Sequence, residues 1–293
     1  MTTQVTITGT GVPNIAPGRA GAGVLVKVGD TALQFDAGRA TALRLSEAGV
    51  LAQQVTALFI THHHSDHLTG LTDLVFARWV QMQTGHVPLP IVAPIGPSTT
   101  YLERMLDPWS DDIDVRIEHT GRADGPEPEI IGYEASEAPT EVWSNNDARV
   151  IARAVRHEPV TPAVAYRIET ADGAVVISGD TRVCEEVEEF AAGADVLVHE
   201  ALRAKLLARF FEARPQMAHI AEYHADTDEL GAMAARIGVP ALMLTHLIPA
   251  PTTQEQADGF ADDIRAGGFS GKLMVCNDLD TITLDNGSIV SDG

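Results

Sequence analysis

Phe59-Ile60-Thr61-His62-His63-His64-Ser65-Asp66-His67-Leu68-Thr69-Gly70 packs four of the chain's eleven histidines, and an aspartate, into a single short stretch. The apolar run at residues 55–60 reads as a buried strand leading into it. Leu68, Leu71, Val75, Trp79 and Met82 follow on one helix face. Imidazoles and carboxylates suit zinc and similar divalent ions. Residues i and i+2 leaving a strand point to the same side, so His62 and His64 can grip one ion. Asp66 and His67 fall on the turn and the first helical residue, within reach of a second ion. Clustering this dense, between a strand and a helix, favours a metal site over a polar turn with incidental histidines.

With 293 residues the chain is long enough for one large α/β domain, here expected to span 1–293. Hydrophobic residues make up 45% and mean hydropathy is near zero, as in a globular protein with a full core. No apolar run approaches the roughly 18 residues of a membrane span. Met1-Thr2-Thr3-Gln4-Val5-Thr6-Ile7 has neither the basic region nor the apolar core of a secretion signal. These features predict a cytoplasmic protein without membrane contact. Cys184 and Cys276 lie far apart and without metal-motif spacing, as reduced core thiols do. Twenty Lys and Arg stand against 41 Asp and Glu, a net charge of −21. An acidic surface repels phosphate backbones, which disfavours a nucleic-acid partner.

Outward from the histidine stretch, the first part reads as strands and turns. Residues 5–8 alternate, and Gly9-Thr10-Gly11-Val12-Pro13 is a loop. Gly23–Val28 and Thr31–Phe35 flank a Gly29-Asp30 hairpin signal. Residues 41–48 form a helix closed by Gly49. Residues 88–94 read as a strand, and residues 98–106 as a helix capped by Ser98. The stretch 121–139 is rich in Gly, Pro and Glu, with a strand at Glu129–Tyr133. Residues 148–156, 163–168 and 174–178 are three strands, the last two joined at Asp172-Gly173.

Strand and helix then alternate. Thr181 caps a helix carrying Val183, Val187 and Phe190. Residues 195–198 form a strand and 205–213 a helix. Asp226 with Glu229, and Thr253 with Gln256, cap two more helices. Residues 241–245 are a strand ending at His246, and strands at 273–275 and 281–284 close the chain. Sheets with helices outside them predict an α/β (α+β) fold, a four-layer αββα sandwich.

Three single residues sit at strand ends, where a rigid scaffold presents functional groups. His157 follows the strand at 148–156, Asp180 follows Gly179, and His246 follows Thr245. A two-ion site needs more groups than one motif supplies, so all three are ligand candidates. The order His62-x-His64-x-Asp66-His67, then His157, Asp180 and His246, resembles the metallo-β-lactamase superfamily from Phe59 to His246. The resemblance implies the αββα sandwich and a dinuclear centre. His62, His64 and His157 would bind the first ion, Asp66, His67 and His246 the second, and Asp180 would bridge them. It implies two zinc ions (manganese or iron as alternatives) holding a bridging hydroxide, with Asp66 also orienting it. His63 would point away.

Departures within the superfamily narrow the chemistry. Zinc β-lactamases place a cysteine where Asp180 stands, which argues against antibiotic hydrolysis. Flavodiiron members carry Glu in place of His64, which argues against a redox role. Glyoxalase-II-like thioesterases usually add a helical C-terminal region, for which little room remains after His246. Val198-His199-Glu200-Ala201, with His224 downstream, resembles the ribonuclease Z and arylsulfatase-like branch, departing from its His-Glu-Ala-Thr segment at Leu202. In that branch the Glu orients the later His, which protonates the leaving oxygen; carried over, Glu200 would orient His224. Ribonuclease Z inserts a basic arm between the counterparts of His157 and Asp180. Here those residues are 180 − 157 = 23 apart, too close for an arm.

The resemblance therefore implies a dinuclear hydrolase, catalytic through Asp66, His224 and Glu200. Its expected substrate is a small-molecule ester, as in a phosphodiesterase or arylsulfatase-like hydrolase. Alternatives are a lactonase or carboxylesterase, a ribonuclease Z-type endoribonuclease, and a non-catalytic metal-binding module. A homodimer is the expected assembly. Trp79, Tyr101, Trp109 and Trp143 are candidate pocket aromatics.

Overall fold

A computed structural model describes residues 2–82 and 85–290. The first sheet takes up β1 (Thr3–Gly9), β2 (Gly23–Val28), β3 (Thr31–Phe35), β4 (Ala57–Phe59), β5 (Pro90–Pro94) and β6 (Glu129–Tyr133). The second holds β7 (Thr140–Ser144), β8 (Ala148–Ala154), β9 (Val164–Thr170), β10 (Gly173–Ile177), β11 (Val196–Leu202), β12 (Ala241–Ile248) and β13 (Lys272–Val275). β14 (Thr281–Asp285) and β15 (Ser288–Val290) return to the first sheet, whose order is β15-β14-β1-β2-β3-β4-β5-β6. The second runs β13-β12-β11-β10-β9-β8-β7.

Helices α1 (Thr41–Glu47), α2 (Ser65–Leu68), α3 (Leu71–Gln81), α4 (Pro97–Arg104) and α5 (Ser110–Thr120) belong to the first half. Helices α6 (Glu185–Phe190), α7 (Ala204–Ala213), α8 (Ile220–Tyr223), α9 (Thr227–Ile237) and α10 (Gln254–Ala266) belong to the second. Among the described residues no helix is long and apolar enough to cross a membrane.

The layering follows from strands that are apolar on both faces. Phe59 faces the other sheet, packing with Phe35, Tyr166 and Val198, whereas Leu58 and Ile60 meet Leu45, Leu71 and Leu74 of α1 and α3. In the second half Val198 faces inward, and Leu197 packs with Val187, Leu230 and Phe260 of the outer helices. Burying each such large side chain contributes roughly 1.5–3 kcal/mol. The result is the expected αββα sandwich. Cys276 is buried and Cys184 half-buried, and both are free thiols.

Several local expectations change. The helix read through Leu68 to Met82 is two helices, broken at Gly70, which packs against Gly38. A Cβ on Gly70 would lie 1.9 Å from the Gly38 carbonyl oxygen. Ser98 does not cap α4. Pro97 occupies the first turn and Gly96 the cap, as proline's fixed φ favours. Nor does Thr181 cap α6, whose N-cap is Cys184. The Thr181 N–H donates to Glu200 Oε1 at 3.0 Å instead. α5 escaped the sequence reading because it buries only Ile113, which leaves its periodicity weak.

His246 lies within β12 rather than after it. Glu200 pairs with Thr245 and Ala201 with Leu247, so His246 is the extra residue of a bulge, with a φ of 45°. Bulges re-aim side chains in this way.

Candidate metal centre

The site forms where β3, β4, β10, β11 and β12 end. β4 delivers His62 and His64, and α2 starts immediately afterwards, with Asp66 in its first turn and His67 one residue on. Gly179 turns the chain after β10 at a φ of 60°, with the place of a Cβ only 2.9 Å from Thr61. Glycine alone allows that approach, and Asp180 follows it into the cluster.

Two groups of ligand atoms result, and a third, Asp180 with His224 and His246, overlaps them. His62, His64, His157 and Asp180 offer atoms all within 4.8 Å of one another, and so do Asp66, His67 and His246. Asp180 Oδ2 joins the groups. It lies 3.8 Å from His62 Nε2, 4.0 Å from His157 Nε2, and 3.3 Å from both His67 Nε2 and His246 Nε2. Asp66 Oδ2 is 3.2 Å from His246 Nε2 and 3.8 Å from His67 Nε2. His63 is half-buried and outside both groups.

The hydrogen bonds fix which nitrogens face inward. His67 Nδ1 donates to Asp36 Oδ2 at 2.7 Å. Thr61 Oγ1 donates to the same oxygen at 2.7 Å and accepts from His62 Nδ1 at 3.0 Å. His157 Nδ1 donates to the Tyr223 carbonyl at 3.0 Å. With Nδ1 satisfied on three rings, each Nε2 keeps its lone pair for the cluster. Of these, His62 Nε2 and His67 Nε2 are buried without a hydrogen-bond partner. Such orphaned acceptors are costly unless something occupies the space between them, and this donor set fits divalent cations.

For His62 and His64 charge points the same way. Burial pushes His62 well below its ordinary range and His64 down to about 4, which keeps both rings neutral as ligation requires. Burial also disfavours a charge on His67, but the carboxylates of Asp180 and Asp36 outweigh it and raise that ring. For Asp180, burial is outweighed by His246 and His67, which hold its carboxyl well below the usual range.

Glu200 and His224 form a second unit beside the cluster. His224 Nδ1 donates to Glu200 Oε1 at 2.7 Å, and the Thr181 N–H holds the same oxygen. Burial penalises the imidazolium, yet the Glu200 carboxylate outweighs it and lifts His224 to about 9. The ring lies 5.6 Å from that of His246 and 5.2 Å from that of His157, centroid to centroid. Nε2 is the nitrogen left for an incoming group.

Every candidate ligand, with Glu200 and His224, is therefore in one place. Two contributors were missed. Asp36 holds both His67 and, through Thr61, His62. Asp36 ends β3 beside β4 at a φ of 54° that strains a non-glycine residue, and in the sequence it reads only as a turn residue. Tyr223 was the other, acting through its carbonyl. Asp36→Ala is expected to weaken metal binding by about 10–100-fold, read by competition with a chromophoric chelator. Unchanged affinity would refute the orienting role.

The aromatic candidates divide. Trp79 is buried, Trp143 packs edge-on to Phe59 in the inter-sheet core, and Tyr101 packs beside α3. Only Trp109 is open to solvent.

Residues 30–247 match the family model described as the beta-lactamase superfamily domain. The chain belongs to the beta-lactamase superfamily. Proteins named ribonuclease Z are similar across nearly its whole length. That of Mycobacterium sp. (strain KMS) is 36% identical over 289 residues, covering 98% of each chain. That of Mycobacterium bovis (strain BCG / Pasteur 1173P2) is 36% identical over 280 residues, covering 94% of this chain and 96% of the relative. Two solved structures share the fold. The metallo-beta-lactamase fold protein YhfI of Bacillus subtilis superposes with a TM-score of 0.70 at 21% identity, over 97% of this chain and 100% of that one. The short form of human tRNase Z gives 0.65 at 20% identity, over 96% and 99%. As a superfamily member, the chain is a hydrolase with a candidate site for divalent cations.

Proposed function

We propose that the chain is a metal-dependent phosphodiester hydrolase. The observation that carries this reading is the Glu200–His224 pair, a buried proton donor placed beside Asp180 and His246. His62, His64, His157 and Asp180 would hold one cation, and Asp66, His67, His246 and Asp180 the other. Divalent cations bound there supply Lewis acidity and bring the pKa of water to about 7.

The chain's own residues do the rest. Asp66, buried next to His246, accepts a hydrogen bond from the attacking water and fixes its approach to phosphorus. As the P–O bond to the leaving group breaks, His224 Nε2 gives its proton to the departing oxygen. Glu200 holds the imidazolium beforehand and keeps Nδ1 protonated afterwards. The products are a phosphomonoester and an alcohol. Two dications against the carboxylates of Asp66 and Asp180 would leave the site net positive. That suits an anionic ester that gains charge as water adds, more than a neutral lactone.

One observation favours a second reading, a ribonuclease Z-type endoribonuclease: the relatives at 36% identity carry that name across 98% of their length. Against it stands the short connection from His157 to Asp180, occupied by the β9–β10 hairpin. The test compares bis(p-nitrophenyl) phosphate, p-nitrophenyl sulfate, p-nitrophenyl acetate, a lactone and a tRNA precursor. The phosphodiester is expected to lead the small substrates in kcat/KM by about 100-fold or more. A preference for sulfate or lactone would overturn the proposal, and efficient precursor cleavage would move it to the ribonuclease.

A further inference from the structure

Between Leu202 and Asp226 the chain leaves the second sheet, forms α7 and α8, and returns through Tyr223 and His224. The body of this excursion has little to rest on, because no side chain of α7 or α8 is buried. Its two ends are held instead. The Leu202 N–H donates to the Ala225 carbonyl at 2.7 Å and Leu202 pairs with Asp226, which closes the stem. The Arg203 N–H donates to the Ile248 carbonyl at 2.8 Å. That bond ties the departing chain to β12, the strand that carries His246.

Side chains from both ends meet on one residue of α10. Asp263 is 5% exposed and accepts from Arg203 Nε at 2.6 Å, Arg203 Nη2 at 3.3 Å, Lys205 Nζ, and Thr227 Oγ1 at 3.0 Å. Arg203 and Lys205 stand where the chain departs, and Thr227 opens α9 on its return. Burial opposes the charge on Asp263, but Arg203, Lys205 and Thr227 outweigh it and hold the carboxyl below its ordinary range. Charge-assisted bonds of this kind are short and directional. Gly259 is a second sign. It sits inside α10, where alanine is the better helix former, yet a Cβ there would lie 2.2 Å from Arg203 Nη1. The glycine makes room for the guanidinium, which also lies 5.5 Å from the centroid of the Phe260 ring.

We infer that Asp263 is the positioning residue of the proton donor: by joining Arg203 and Lys205 to Thr227, it fixes the path along which the chain delivers His224 to the metal-binding cluster. The inference rests on the reading of His224 as the group that protonates the leaving oxygen. Glu200 Oε1 holds Nδ1 and so sets the direction of the ring. The stem sets where the backbone that carries the ring begins. Asp263 belongs to none of the ligand groups, and among the described residues its side chain bonds only to Arg203, Lys205 and Thr227. Loosening it therefore moves the proton donor and leaves the ligands in place. A misplacement of about 1 Å in a reacting group can cost about 100-fold in rate.

A double-mutant cycle on the metal-loaded full chain tests this, with an alkyl phosphodiester and bis(p-nitrophenyl) phosphate as substrates. Asp263→Asn keeps the shape of the side chain and removes its charge. It is expected to lower kcat/KM for the alkyl ester about tenfold or more, to change the nitrophenyl ester little, and to leave metal content unchanged. In the His224→Ala background it is expected to cost nothing further, since residues that act through one another are not additive. Gly259→Ala keeps Asp263 but pushes the Arg203 guanidinium aside, and the same selective loss is expected with helix content retained by circular dichroism. If Asp263→Asn loses metal or helix content, Gly259→Ala decides alone. Full activity on the alkyl ester, an equal loss on both substrates, or a loss that adds to that of His224→Ala would overturn the inference. His224→Ala by itself judges the proton-donor reading. An equal loss on both substrates there sinks that reading and the inference with it, whereas a selective loss there and none in Asp263→Asn sinks the inference alone.

Discussion

His224→Ala is expected to lower kcat/KM for alkyl phosphodiesters by about 10²–10⁴-fold while changing bis(p-nitrophenyl) phosphate hydrolysis little. An alkoxide leaves poorly unless protonated as the P–O bond breaks, whereas a nitrophenolate departs unaided. The geometry supports a donor that is charged at neutral pH. The Glu200 carboxylate, 2.7 Å from Nδ1, overcomes the burial penalty and lifts the ring to about 9. Glu200 is itself fixed by the Thr181 N–H, so the pair is held before substrate arrives. A plot of log kcat/KM against leaving-group pKa is the measurement. The variant's slope should be steeper than that of the unaltered enzyme. An equal loss for good and poor leaving groups would mean that His224 positions substrate or shapes the site without donating a proton.

Asp180→Ala is expected to reduce bound metal from two equivalents per chain to one or fewer, and kcat by about 10³-fold or more. Asp180 Oδ2 alone lies within 4.0 Å of four imidazoles drawn from both ligand groups. Its removal takes a ligand from each group and one of the negative charges that hold two dications close together. Elemental analysis after equilibration with excess metal reads the stoichiometry. Two equivalents retained would show that the groups are complete without a shared carboxylate.

Much of this site was legible because the metal-binding residues bunch in sequence or sit at strand ends. Period-two alternation put His62 and His64 together, and the apolar run before them marked a strand covered on both faces. Less local features were hidden. Asp36 reads as a turn residue until the parallel pairing of β3 with β4 brings it beside Thr61 and His67. The bulge that aims His246 depends on a register shift between β11 and β12, which no window of sequence contains. The break at Gly70 comes from the approach of Gly38, more than thirty residues away. α5 buries only Ile113, too little to leave a periodic signal.

Hydrolysis of bis(p-nitrophenyl) phosphate by the full chain, followed before chelation, after it and after return of a divalent cation, decides whether the chain is a metal-dependent phosphodiesterase. On that reading hydrolysis disappears with the metal and returns with it. A chain carrying its full complement of metal that leaves the phosphodiester intact while turning over a lactone or an aryl sulfate, or a rate indifferent to the chelator, would contradict it.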